Sequence, residues 1–313
     1  MTIVASDSSP SRRRYLAAAG ATAFGSLTGC LSGSGSPVSV LAAGSLASTF
    51  EDHVGPAFER ETDYRVHGEY HGSAALLRMV EDRTKHPDVV VSADATLLRD
   101  RLYGDHVDWD VEFASNSIGL CYNPSTLLGD RLESGVPWWE AARDADDGDL
   151  AIGDPELDPL GYRALMAFEL AEQEHGVAGL RDDLAAAAYR EPDEPQLLLG
   201  VETGARAGAV VYENMAADHD LPFVGFPDAY DFSDPGLADH YATATYTTSD
   251  GYVTRGRPIL YAATVPSGAD SPAAGRAFVD FLTDASVVLI EAGLAVAGGL
   301  PRSNASPPSG VDV

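Results

Sequence analysis

Lysine is all but missing from this chain of 313 residues: Lys85 stands alone, and Lys and Arg together number 20 against 48 Asp and Glu. A formal charge of −28 excludes nucleic acid as a partner, because a phosphate backbone is held by a basic footprint. Cysteine is scarce too. Cys30 and Cys121 permit one disulfide at most, and Cys121 reads as a small buried hydrophobe. The apolar stretch Leu16 to Leu27 is too short to cross a bilayer by itself. No Gly-x-Ser-x-Gly elbow, phosphate-loop lysine motif or four-ligand zinc spacing occurs, so the chain reads as no enzyme and implies no cofactor or metal. What abounds is acid. At molar salt the Debye length shrinks to about 3 Å and repulsion among surface carboxylates is largely screened. The charge balance therefore reads as a solvated surface suited to a salt-rich, halophilic setting. Thermal unfolding is expected at a higher temperature in molar salt than in dilute buffer, and equal stability in both would sink that reading.

The first thirty residues point to export. Arg12, Arg13 and Arg14 precede the apolar stretch, and Leu27-Thr28-Gly29-Cys30 closes it. A basic head, a short apolar body and small residues before a cleavage point describe a secretory leader over residues 1–29, of the twin-arginine class. Leu-Thr-Gly-Cys looks like a lipobox, which makes Cys30 the first mature residue and the site of a lipid anchor. Residues 30–37, rich in Gly and Ser, read as a flexible linker. The expected location is the outer face of the cell membrane, with the lipid on Cys30 as the tether. Removing the leader, with its three arginines and one aspartate, moves the formal charge from −28 to −30.

Behind the linker, short apolar runs alternate with turns and amphipathic stretches. Residues 38–42 read as a strand ending in the turn Gly44-Ser45, and 48–61 as a helix. A strand over 64–70, the turn His71-Gly72-Ser73 and a helix over 74–80 repeat the pattern, as do 88–91 and 95–102. Strand, Gly-Ser turn and helix in succession predict a parallel α/β sheet. Phe113 to Tyr122 reads as a crossover strand into a second such unit, with strands at 150–152, 207–212 and 241–247 and a helix over 162–174. Residues 258–264 read as a strand returning to the first unit. The acidic stretches 144–149 and 191–194 read as loops or solvated faces, and the tail past Pro301 as frayed. The division is a first lobe over 38–115, a second lobe over 116–256, a return over 257–305 and a tail over 306–313. Two lobes joined by crossover strands make a hinged cleft, and open α/β sheets take ligands outside the carboxyl ends of their strands.

Gly44-Ser45 and Gly72-Ser73 each follow a strand and open a helix. Glycine lets the backbone approach closely, serine adds a hydroxyl, and free helix N-terminal N–H groups add a positive dipole end. Together they make an anion site without a formal positive charge. Each serine also fits as a plain helix N-cap, and so does Asp158 ahead of the helix near Gly161. His67, Glu69 and His71 share one face of a strand, a spacing open to a metal ion and, more simply, to a solvated strand face.

A longer series of matches covers nearly the whole mature chain. Val40-Leu41-Ala42-Ala43-Gly44-Ser45-Leu46, Ser92-Ala93-Asp94, Phe113-Ala114-Ser115-Asn116-Ser117 and Trp138-Trp139-Glu140 come first. Gly153-Asp154-Pro155-Glu156-Leu157-Asp158-Pro159-Leu160-Gly161-Tyr162-Arg163 is the most specific, and Phe232-Ser233-Asp234-Pro235 and Pro258-Ile259-Leu260-Tyr261 follow. In this order and spacing the chain resembles the oxyanion-binding proteins of molybdate and tungstate uptake, nearest to their archaeal branch. The resemblance implies a two-lobed, periplasmic-binding-protein-like α/β fold (type II) and capture of molybdate or tungstate for the permease subunits of an ABC transporter. It also implies site residues. Ser45 and Ser73 match hydroxyl donors to the oxyanion, and Leu160 a backbone N–H donor. Asp158 matches a carboxylate that approaches the metal of the oxyanion, and Tyr212 a hydroxyl contact. Gly44, Gly72 and Gly161 supply supporting backbone. The archaeal branch carries a second carboxylate where this chain has Val211; Glu213 shares Val211's face only if the strand runs on.

Asp158 has a chemical meaning of its own. A carboxylate beside an oxyanion is unfavourable unless it is protonated, ligates a metal centre or accepts a proton from the ligand. Molybdate and tungstate offer the metal centre, hydrogen phosphate offers the proton, and sulfate offers neither. Phosphate or another tetrahedral oxyanion, or a surface-anchored sensor or scaffold of the same fold, stand as alternatives.

Overall fold

The computed structural model describes residues 36–296 and 299–313. The leader, Cys30 and the linker up to Gly35 lie outside the described residues, while Ser36 and Pro37 already belong to a strand. That strand, β1 (Ser36–Ala43), is apolar and buried over its second half, as a strand covered on both faces must be. It lies between β2 (Tyr64–His71) and β3 (Val89–Ser92), parallel to both, with α1 (Gly55–Glu61) and α2 (Ser73–Glu81) in the crossovers. α3 (Ala95–Leu102) then leads to β4 (Asp110–Ser115) at the far side of the sheet.

The apolar run 113–122 is not one strand. Asn116 and Ser117 divide it, and β5 (Ile118–Tyr122) belongs to a different sheet. The Asn116 side chain accepts the Ser117 N–H at 2.9 Å and fixes the change of direction. The second sheet gathers β6 (Leu150–Gly153), β7 (Tyr189–Glu191), β8 (Gly208–Tyr212) and β9 (Phe223–Gly225) in the order β7-β6-β8-β5-β9. Its connections are α4 (Leu127–Glu133), α5 (Trp138–Arg143), α6 (Pro159–His175), α7 (Leu180–Ala187), α8 (Glu194–Glu202) and α9 (Glu213–Asp218). The stretch expected as a strand over 241–247 divides between the end of α10 (Ala238–Tyr241) and the start of a hairpin, β10 (Thr245–Thr247) and β11 (Val253–Arg255).

β12 (Leu260–Thr264) carries the chain back, inserting antiparallel between β3 and β4, and α11 (Pro272–Asp284) and α12 (Ser286–Glu291) follow it. The end of the chain is not frayed as expected. β13 (Arg302–Asn304) pairs with β4, which completes the order β13-β4-β12-β3-β1-β2, and Val311 is buried. Arg302 is drawn there by Glu112 on β4, whose neighbour two residues earlier, Asp110, is held in a fork by Arg99 at 2.7 and 2.9 Å. The molecule is thus two α/β lobes linked by crossover strands.

Candidate functional site

In a parallel sheet every strand delivers its carboxyl end to the same edge. β1, β2 and β3 therefore bring Gly44-Ser45, Gly72-Ser73 and Ala93-Asp94 together along one rim of the first lobe. β6, β7 and β8 bring Asp158, Glu194 and Tyr212 to the facing rim of the second. Both serines are buried, and neither caps its own helix. Ser45 lies in a single 3₁₀ turn. Its N–H donates to the Glu194 carboxyl at 2.5 Å, its hydroxyl accepts from Tyr261 Oη at 3.3 Å, and its carbonyl accepts from Asn214 at 2.9 Å. Ser73 is the first residue of α2, and its hydroxyl accepts the Ala93 N–H at 2.9 Å.

Asp158 is the N-cap of α6: its Oδ1 accepts the Leu160 N–H at 3.0 Å. The donor that the resemblance gives to an oxyanion is therefore taken by the cap, and Leu160 and Asp158 act as one unit. Oδ2 of Asp158 is buried without a partner of good geometry. Burial pushes the Asp158 carboxyl up to about 6, against the pull of the Leu160 N–H, of Glu194 and of Arg163.

Glycines set how closely the rims approach. A Cβ on Gly72 would stand 2.5 Å from the Leu157 carbonyl oxygen and 3.0 Å from Asp158 Cβ. One on Gly44 would meet Glu194, and one on Gly161 the Gly153 carbonyl. Gly72 has φ −55° and ψ 136°, which alanine adopts freely, so the obstruction falls on the contact between lobes and not on the first lobe itself. Gly72→Ala is expected to weaken solute capture about tenfold, at the lower end of the cost of overpacking, with little change in the unfolding temperature. Titration beside scanning calorimetry on the same variant checks both halves.

Tyr212 ends β8, and its hydroxyl accepts from Arg163 Nη1 at 2.6 Å. Val211 is buried and brings no carboxylate. Glu213 does not replace it, because β8 stops at Tyr212 and Glu213 opens α9, where it accepts from the Ser117 hydroxyl at the surface. The second acid comes from elsewhere. Glu194, expected on a solvated face, is buried at the first position of α8 and lies within reach of Asp158. Burial, followed by the charge of Asp158, raises its carboxyl well above the ordinary range, and its Oε1 has no partner of good geometry.

Arg163 lies at the centre and is 2 % exposed. From α6 it reaches across to the first lobe, donating to the Ala93 carbonyl at 3.0 Å and lying 3.4 Å from Asp94. Burial opposes ionisation of Asp94, but Arg163, Arg257 and the Tyr162 hydroxyl outweigh it and hold the carboxyl below its usual value. The sequence assigns a site role neither to Arg163, the last residue of the most specific matching segment, nor to Glu194. The available signal for Glu194 was a third strand, β7, with a helix opening three residues later, the pattern that marked the two Gly-Ser turns. His67, Glu69 and His71 take no part in this centre: Glu69 binds His71 at 2.9 Å and Lys85 at 2.8 Å on the surface.

Two α/β lobes that meet over a buried set of convergent polar groups define a solute-binding protein, whose lobes close on a captured solute. The chain belongs to the family of bacterial extracellular solute-binding proteins, which matches it over residues 38–294. It is 57 % identical over 302 residues to a solute-binding protein of Halobacterium salinarum, covering 96 % of this chain and 97 % of that one. It is 39 % identical over 297 residues to a Haloferax volcanii protein whose name assigns it to an ABC transporter as a molybdenum-binding component, covering 93 % and 94 %. Its fold is shared with the periplasmic molybdate-binding protein of Azotobacter vinelandii, at a TM-score of 0.60 and 16 % identity, over 83 % of this chain and all of that one. Among the described residues no helix is long and apolar enough to cross a membrane.

Proposed function

We propose that this protein captures molybdate or tungstate outside the cell and delivers it to the permease of an ABC transporter. It acts by binding and performs no reaction. Export through a twin-arginine leader and a lipid on Cys30 keep it at the outer face of the membrane. One observation carries the reading: the Ser45 N–H, at the end of β1, holds an oxygen of a buried carboxyl at 2.5 Å. A donor that takes one such oxygen suits another, and hydrogen bonds to anions in a water-poor cleft are strong. Ser45 and Ser73 from one lobe, with Tyr212 from the other, add hydroxyls around that donor. Asp158 offers a carboxylate to the metal centre of the oxyanion. The net charge of −28 gives no long-range attraction for an anion, so affinity rests on these local dipoles and on Arg163.

Calorimetric titration with molybdate, tungstate, sulfate and phosphate tests this. Heat with the first two and none with sulfate is expected. Heat with phosphate alone moves the reading to a phosphate binder, and no heat with any of the four ends it.

A further inference from the structure

Glu194 sits in the cleft in a way that solute capture through Ser45, Ser73 and Asp158 does not explain. Its Oε2 takes the Ser45 N–H, the backbone donor best placed for an oxyanion, and it fills the space over Gly44 where even a methyl group would meet it at 2.5 Å. It reaches there from the opposite lobe, at the start of α8, so the contact joins the two lobes. Its other oxygen, Oε1, and Oδ2 of Asp158 are both buried without partners of good geometry, and the two carboxyls lie within reach of each other. A single proton held between the acids would satisfy both.

We infer that Glu194 is a built-in competitor of the solute: its carboxyl occupies the Ser45 donor and closes the cleft on itself, and a captured oxyanion must displace it. This rests on the proposed capture of an oxyanion. The groups facing Glu194 are Asp158 and Arg163 from α6, Tyr212 from β8, Tyr261 from β12 and the Ser45 backbone. Of these only Arg163 carries positive charge, so the self-closed form favours a protonated Glu194. An opened cleft returns the side chain to water, where it ionises. Displacement by an oxyanion therefore releases a proton, and affinity rises with pH by up to about tenfold per unit for each proton released.

Molybdate titrations of the wild-type protein, Glu194→Ala and Glu194→Gln at pH 5.5 and pH 8 separate the possibilities. Alanine removes the competitor and is expected to bind about tenfold more tightly than wild type at pH 5.5, with a smaller rise toward pH 8. Glutamine keeps an uncharged acceptor on Ser45 and is expected to bind weakly at both pH values. Equal or weaker molybdate binding by Glu194→Ala would overturn the inference. Small-angle scattering without any oxyanion gives a readout independent of the solute. Glu194→Ala is expected to be more expanded than wild type, and an unchanged radius of gyration would likewise overturn the competitor role. If no variant gives heat with molybdate, the oxyanion reading fails and scattering alone judges Glu194.

Discussion

Replacing Arg163 by methionine is expected to weaken molybdate capture about a hundredfold, with a smaller effect on thermal unfolding. The side chain is buried and serves three acceptors at once: the Tyr212 hydroxyl, the Ala93 carbonyl and Asp94. Methionine fills a similar volume but takes the guanidinium from Asp94 Oδ2, which keeps the Tyr162 hydroxyl while Oδ1 caps α3. Removing one partner of a buried ion pair costs about 3–5 kcal/mol, and the 3.4 Å separation here argues for the lower end, close to a hundredfold in an equilibrium constant. The location decides where the loss is felt. Ala93 and Asp94 belong to the first lobe and Arg163 to the second, so the contacts exist only while the lobes meet. Opening rehydrates Asp94 and removes most of the penalty, and the cost therefore falls on closure and not on folding. Lysine at this position restores the charge but not the fork, and is expected to recover part of the affinity. An Arg163→Met protein that binds molybdate normally would show that the guanidinium does not hold the lobes together.

Asp158→Asn carries the second large effect. Asparagine caps a helix as well as aspartate does, so α6 keeps its Leu160 bond and the substitution isolates the chemistry of the carboxylate. If that carboxylate ligates the metal of the oxyanion, tungstate and molybdate affinity should fall about a hundredfold, the upper range for disturbing a metal's surroundings. The response to sulfate should not change. The pH profile gives a sign. With its carboxyl raised to about 6 by burial, Asp158 is protonated below that value and, without its negative charge, is a poor ligand for a metal. Wild-type affinity is thus expected to decline as pH falls through 6, while Asp158→Asn loses this part of the decline and keeps only the part that proton release from Glu194 brings. Unchanged tungstate affinity in the variant would remove the proposed metal contact.

Local chemistry explains what could be read from the sequence. Val89–Ser92 and Ala95–Leu102 announce themselves through an apolar run followed by a helical stretch, and the structure has them at almost the same bounds. The Gly-Ser turns were legible because strand, turn and helix follow one another within a few residues. Features decided by distant partners were not. β13 reads Arg-Ser-Asn, exposed throughout, and is a strand only because β4 offers it an edge and Glu112 a partner. The break at Asn116 is hidden because both flanking strands are buried, and an apolar run cannot say which sheet it joins. Glu194 is the sharpest case. A glutamate in an acidic stretch is ordinarily solvated, and its burial here depends on Ser45, 149 residues away. Asp158 lies between these extremes: its capping bond is local and readable, while its unpartnered oxygen is not.

The hairpin of β10 and β11 bears on how long a captured solute stays. Tyr246, Ser249 and its backbone N–H all donate to Glu156, on the segment of the second lobe that leads into α6. Further along the same hairpin, Asp250 meets Arg101 at 3.0 Å and the Tyr252 hydroxyl meets Asp100 at 2.9 Å, both on α3 of the first lobe. These bonds lie at the wet edge of the cleft, where each contributes little at equilibrium and water replaces it readily. They must still break before the lobes part. The hairpin is therefore a brake on departure more than a source of tightness, and because its ion pair is open to salt, the dwell time of the captive solute is set by the medium while the buried centre sets its affinity.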